Sequence, residues 1–78
     1  MSNLQTYNKL FRETFALRDA ELPEAKYLRT KLWDSLHHME LMSALEEAFG
    51  ISLNTLDVMD FSSYETGKTV LAKYGVEL

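Results

Sequence analysis

The sequence predicts an all-α protein: a small four-helix bundle with a long loop between helices 1 and 2 and a short third helix. Three observations lead there. Apolar residues recur at helical spacing in residues 3–18 and 35–49. Cap-forming residues stand just before these runs, at Ser2 and Asp34. No alternating strand pattern, internal repeat or low-complexity stretch occurs in the 78 residues. A chain of this length makes one domain, residues 1–78, and can fold without staples if it packs well.

The first helix opens on Ser2-Asn3-Leu4-Gln5, a capping box with Gln5 three residues after Ser2. Leu4, Tyr7, Leu10, Phe11 and Phe15 then mark the apolar face of a helix over 3–18. From Arg18 to Trp33 the pattern loosens. Asp19 and Pro23 punctuate it, and Leu22, Tyr27, Leu28 and Leu32 recur without a firm period. That segment reads as a long loop with a short helical turn begun by Pro23. Asp34 caps the second helix, 35–49, and Gly50 ends it as a left-handed cap.

Stepped at 100° per residue, this second helix has two stripes. Leu41, Met42, Leu45 and Phe49, with His38 and Ala48 near them, form the core face. Leu36, Met39, Glu40, Ser43 and Glu47, with Glu46 beside them, lie opposite. Leu53, Leu56, Val58, Met59 and Phe61 suggest a brief third helix at 55–60. Ser62-Ser63-Tyr64-Glu65 reads as another capping box, opening a last helix that runs to Tyr74 before Gly75. Its packing residues are Tyr64, Val70, Leu71 and Tyr74, and Gly67 suits close approach of a neighbour.

Composition removes several classes of function. Without cysteine there is no disulfide framework, zinc-thiolate site or thiol nucleophile. No apolar run approaches the roughly 20 residues that span a bilayer. The first residues lack the basic and long apolar regions of a secretory signal, so the expectation is a cytoplasmic protein with no membrane partner. Net charge is −4 and unevenly spread. Residues 1–33 hold six Lys/Arg against four Asp/Glu, residues 34–67 hold seven Asp/Glu and no Lys or Arg, and residues 68–78 hold two Lys and one Glu. An acidic middle argues against a nucleic-acid surface and favours partners with basic faces.

The chemistry centres on Ser35. It falls at the first position of the second helix, where the helix dipole favours phosphate. Taken alone it is an ordinary serine at a helix start; its surroundings give it weight. A Ser35–His38 dyad is disfavoured because His38 points to the core stripe and no oxyanion-hole glycine pattern accompanies it. His37 and Glu40 have metal-ligand spacing, but two ligands on one turn make no site. Trp33 reads as a packing residue that pins the long loop. Leu36 and Met39, ringed by carboxylates, have the make-up of a docking surface.

These residues carry a resemblance. Asp34-Ser35-Leu36, Met39-Glu40-Leu41 and Ala44-Leu45-Glu46-Glu47-Ala48-Phe49-Gly50-Ile51 resemble the Asp-Ser-Leu motif and acidic second helix of acyl carrier proteins. The similarity is specific over 32–51 and looser to Tyr74. It implies that Ser35 carries a 4′-phosphopantetheine arm, attached from coenzyme A by a phosphopantetheinyl transferase, whose thiol holds acyl groups as thioesters. It further implies docking of basic enzyme faces on Asp34, Leu36, Met39, Glu40, Glu46 and Glu47. An acyl-chain pocket lined by Leu45, Ile51 and Val70 is also implied.

The implied partners are acyl-activating, ketosynthase or acyltransferase enzymes of lipid or polyketide biosynthesis. The resemblance further implies a monomer with no catalytic residue of its own. Trp33, His37 and Ser43 depart from the family pattern, and the third helix is less acidic. Those departures fit a carrier in a dedicated pathway rather than general fatty acid synthesis. Two other readings stay open: an aminoacyl, peptidyl or D-alanyl carrier, and a non-carrier helical interaction module.

Overall fold

A computed structural model describes all residues, 1–78. Its elements are α1 (Asn3–Phe15), a 3-10 helix (Asp19–Glu24), α2 (Ser35–Phe49), α3 (Thr55–Asp60) and α4 (Tyr64–Ala72), with no strand. The all-α bundle is as the sequence predicts, including the long first connection and short third helix. The ends of α2 and α3 fall where expected, because each has a strong local signal. Asp34 accepts from the His37 N–H, Gly50 takes the left-handed conformation at φ 63°, and Asn54 accepts from the Asp57 N–H.

Other boundaries differ. The Ser2–Gln5 capping box forms, but α1 stops at Phe15 instead of residue 18, because Ala16 turns left-handed at φ 54°. The loop helix does not begin at Pro23. It begins at Asp19, where the Arg18 N–H bonds the Glu21 side chain, and Pro23 lies inside it. At α4 the cap is Ser63 rather than Ser62, paired with Thr66. That helix ends at Ala72, two residues before Tyr74.

Aromatic rings fill the core. Tyr7, Phe11 and Phe15 of α1 are buried at the expected spacing of four, whereas Leu4 stays at the surface. Phe11 meets Trp33 edge-on at 5.4 Å, and Phe15 stacks on Trp33 at 4.6 Å. Trp33 therefore pins the loop, as its position suggested. From α2 the buried residues are His38, Leu41, Met42 and Leu45; Phe49 is half-buried, and Ala48 is exposed instead of facing inward. Gly67 is buried where α4 meets Tyr7 and Phe61, and a side chain there would run into the Phe61 ring and the Tyr7 hydroxyl.

The long connection is tied down along its length. The Tyr64 N–H donates to the Ala25 carbonyl at 3.0 Å, and the Tyr27 N–H to the Ser62 carbonyl at 2.9 Å. The Leu28 N–H donates to the Trp33 carbonyl, also at 2.9 Å. These bonds hold the segment before Ser35 against the start of α4. No helix is long and apolar enough to cross a membrane.

Candidate functional site

Ser35 is exposed at the first position of α2. Two interactions fix the turn beneath it. The Asp34 carboxylate accepts the His37 backbone N–H at 2.9 Å and pairs with His37 Nδ1 at 2.8 Å. Those bonds, the backbone one foremost, hold the Asp34 carboxyl below its ordinary value, so it stays ionised. Deeper in, the Trp33 indole N–H donates to His38 Nδ1 at 3.0 Å. An indole nitrogen only donates, so His38 Nδ1 is an acceptor and Nε2 carries the proton. Nε2 is 2.8 Å from the Val58 carbonyl, to which it donates. His38 thus ties the loop, α2 and α3 together with both ring nitrogens satisfied.

This arrangement disposes of the dyad: both His38 nitrogens are engaged with groups other than Ser35. His37 is paired with Asp34 rather than Glu40, and no cluster of three metal-ligating side chains exists. The Ser35 hydroxyl has a different neighbour. The Tyr27 hydroxyl lies 3.0 Å from it, reaching across from the loop. No local pattern marks this contact, because Tyr27 sits eight residues upstream in a stretch without helical period.

The expected docking residues divide. Leu36 and Met39 are 67% and 53% exposed, and Asp34, Glu40 and Glu47 are exposed too. Leu36, Met39, Glu40 and Glu47 share one shallow hollow along α2, completed by Ser43 and Ala44. Glu46 does not belong with them. Its Oε2 accepts the Leu53 N–H at 2.8 Å, so it braces the α2–α3 connection.

The expected acyl-chain residues do not surround a space. Leu45 and Val70 are buried in the aromatic core and Ile51 is half-buried beside it; no cavity opens among the three. A helical projection tells which face is inward but not where packing leaves a gap. Two mainly apolar hollows flank α3. One, about 360 Å³, lies between α2 and α3 and is lined chiefly by Met39, Met42, Leu53, Val58 and Met59. Another, about 250 Å³, is lined by Tyr27, His38, Val58, Met59 and Phe61. Leu56 and Met59, each 71% exposed, extend the apolar surface onto α3.

Comparison with protein-family models, curated proteins and solved structures finds no match for this chain. The functional reading therefore rests on the residues themselves.

Proposed function

We propose that this chain is an acyl carrier protein, with Ser35 as the attachment point of a 4′-phosphopantetheine arm. The observation that carries the reading is the position of the Ser35 hydroxyl. It is exposed and lies on the capped first turn of α2, beside a hollow that joins Leu36 and Met39 to Glu40 and Glu47. A transferase can reach such a hydroxyl. The first-turn N–H groups of α2 that the helix leaves unpaired favour a phosphodiester there. The run Asp34 to Ile51 also resembles the motif region of acyl carrier proteins.

The residues present fit the arm. Ser35 supplies the oxygen, and Tyr27 stands within hydrogen-bond reach of that oxygen. Once bound, the arm would supply the thiol that this cysteine-free chain lacks. The protein's own part is then to hold, present and shelter. Asp34 keeps α2 capped, and the acidic side chains of Asp34, Glu40 and Glu47 attract basic faces on partner enzymes. The apolar gaps beside α3 offer room for a short cargo, in place of the pocket expected at Leu45, Ile51 and Val70. On this reading the chain is no enzyme, and its partners are the transferase and the enzymes that load and elongate the acyl group.

Incubation of the full chain with coenzyme A, magnesium and a broad-specificity transferase tests the reading by intact mass. One phosphopantetheine should add to the wild type and none to Ser35→Ala. Addition that survives Ser35→Ala rejects the site. An unmodified wild type rejects the carrier reading in favour of an interaction module built on the exposed Leu36 and Met39.

A further inference from the structure

We propose that Tyr27 is the positioning residue for Ser35. Its phenolic O–H donates to the Ser35 hydroxyl oxygen before the arm is attached, and to a phosphate oxygen of the arm afterwards. The assignment rests on the carrier reading.

The phenol is held from several sides. The Tyr27 backbone N–H is bonded to the Ser62 carbonyl, and the Leu28 N–H closes the loop on the Trp33 carbonyl. The Tyr27 ring packs on His38 at 5.0 Å between centroids. His38 is itself fixed by Trp33 and Val58. Tyr27 is thus half-buried, and its hydroxyl comes within 3.0 Å of the exposed Ser35 oxygen. A free serine hydroxyl samples three staggered positions. One partnered by an immobile phenol is confined to one of them, which raises the fraction of chains poised for attack.

The direction of the bond matters. With Tyr27 as donor, a lone pair of Ser35 is engaged and the Ser35 proton stays free to leave. The Ser35 oxygen attacks the pantetheine-side phosphorus of the coenzyme A pyrophosphate. The Oγ–P bond forms and the P–O bond to adenosine 3′,5′-bisphosphate breaks. That nucleotide departs with the electron pair, and the Ser35 proton passes to a base on the transferase. Afterwards Oγ is an ester oxygen and a poor acceptor, while the neighbouring non-bridging oxygens are anionic. A hydrogen bond to an ionised acceptor is the stronger one, so the Tyr27 O–H moves over by one atom.

Tyr27→Phe tests this, since it keeps the ring on His38 and every backbone bond of the loop. With coenzyme A, magnesium and a broad-specificity transferase, kcat/KM for arm addition should fall about fivefold to tenfold, the scale of one lost hydrogen bond. The 31P resonance of the attached diester should also shift between wild type and variant. In the wild type alone, the Tyr27 13Cζ resonance should move when the arm is added, a readout that holds even if the variant folds poorly. Equal transfer rates, or phosphorus and 13Cζ resonances that do not move, overturn the assignment while leaving the carrier reading intact. A wild type that accepts no arm overturns both.

Discussion

The two sides of α2 are built on different terms. Inward, His38, Leu41, Met42 and Leu45 face a core in which Phe11, Phe15, Trp33, Phe61 and Tyr64 are all buried. No buried polar side-chain atom there lacks a partner. Outward, the same helix exposes Leu36 and Met39 between carboxylates, with apolar gaps continuing beneath α3. The inner side is packed with rigid rings, and Phe11, Leu41 and Leu45 at its centre line no hollow. The outer side has flexible methionines, which repack easily. A small chain can keep a loose, adaptable face because the opposite one is closed.

The comparison breaks most sharply at Gly67. Alanine is the better helix former by about 1 kcal/mol, so an open site would gain stability. At Gly67 the added carbon meets the buried ring of Phe61 and the hydroxyl of Tyr7. The Tyr7 hydroxyl is also bonded to the Tyr64 carbonyl at 2.7 Å, and burial pushes its pKa up, so it stays a neutral donor. Gly67→Ala should therefore cost about 1–3 kcal/mol, the range for overpacking. A urea-denaturation midpoint that rises instead would mean the closed side has slack.

Asp57 sharpens the comparison, because it anchors α3 from behind the loose face. Its carboxylate accepts from the Tyr74 hydroxyl and, at 3.0 Å, from Lys73, and its own backbone N–H is capped by Asn54. Those bonds, Tyr74 first, lower the Asp57 pKa from its ordinary 3.8. A carboxyl with a depressed native pKa stabilises the fold above its unfolded pKa. That contribution drains away as pH falls through the native value, below 3.8. Lys73 runs the other way: its pKa is raised, so its share is present below 10.5 and lost above that. Asp57→Asn should flatten the acid limb of a stability–pH curve; an acid limb as steep as wild type would show the anchor contributes nothing.

The smallest stability effect belongs to the outer face. Leu36→Ala should change the unfolding free energy by no more than about 0.5 kcal/mol, as surface substitutions do. Yet if Leu36 is a docking anchor, the same variant should lose more than about fivefold in kcat/KM for arm addition, equivalent to about 1 kcal/mol. Measuring both on one preparation separates contact with a partner from support of the fold. A large stability loss with unchanged transfer would invert the assignment.

What could be read from the sequence follows from how local each signal is. Asp34, Gly50 and Ser2 mark helix ends by their own backbone and side-chain chemistry, and the structure has them in those roles. Ala16 carries no such mark, yet it turns left-handed, so α1 ends before the residue 18 that periodicity predicts. Leu28 and Leu32 adopt positive φ as well, a conformation that leucine disfavours and composition does not advertise. The exposure of Ser35 and of the outer stripe was legible, because periodicity assigns faces. The contacts of Tyr27 and Glu46 and the gaps beside α3 were not, since these depend on how one element is set against another. That Leu45, Ile51 and Val70 pack without a hollow among them was hidden for the same reason.

Trp33 is the chain's one tryptophan. It is buried against Phe15 and bonded to His38, directly before Asp34 and Ser35. Its emission is consequently an intrinsic optical gauge of the segment that leads into the site. Any event that lifts residues 26–34 away from α2 would expose the indole to water and shift its fluorescence to the red. Binding of partners could then be followed in real time without attaching a dye.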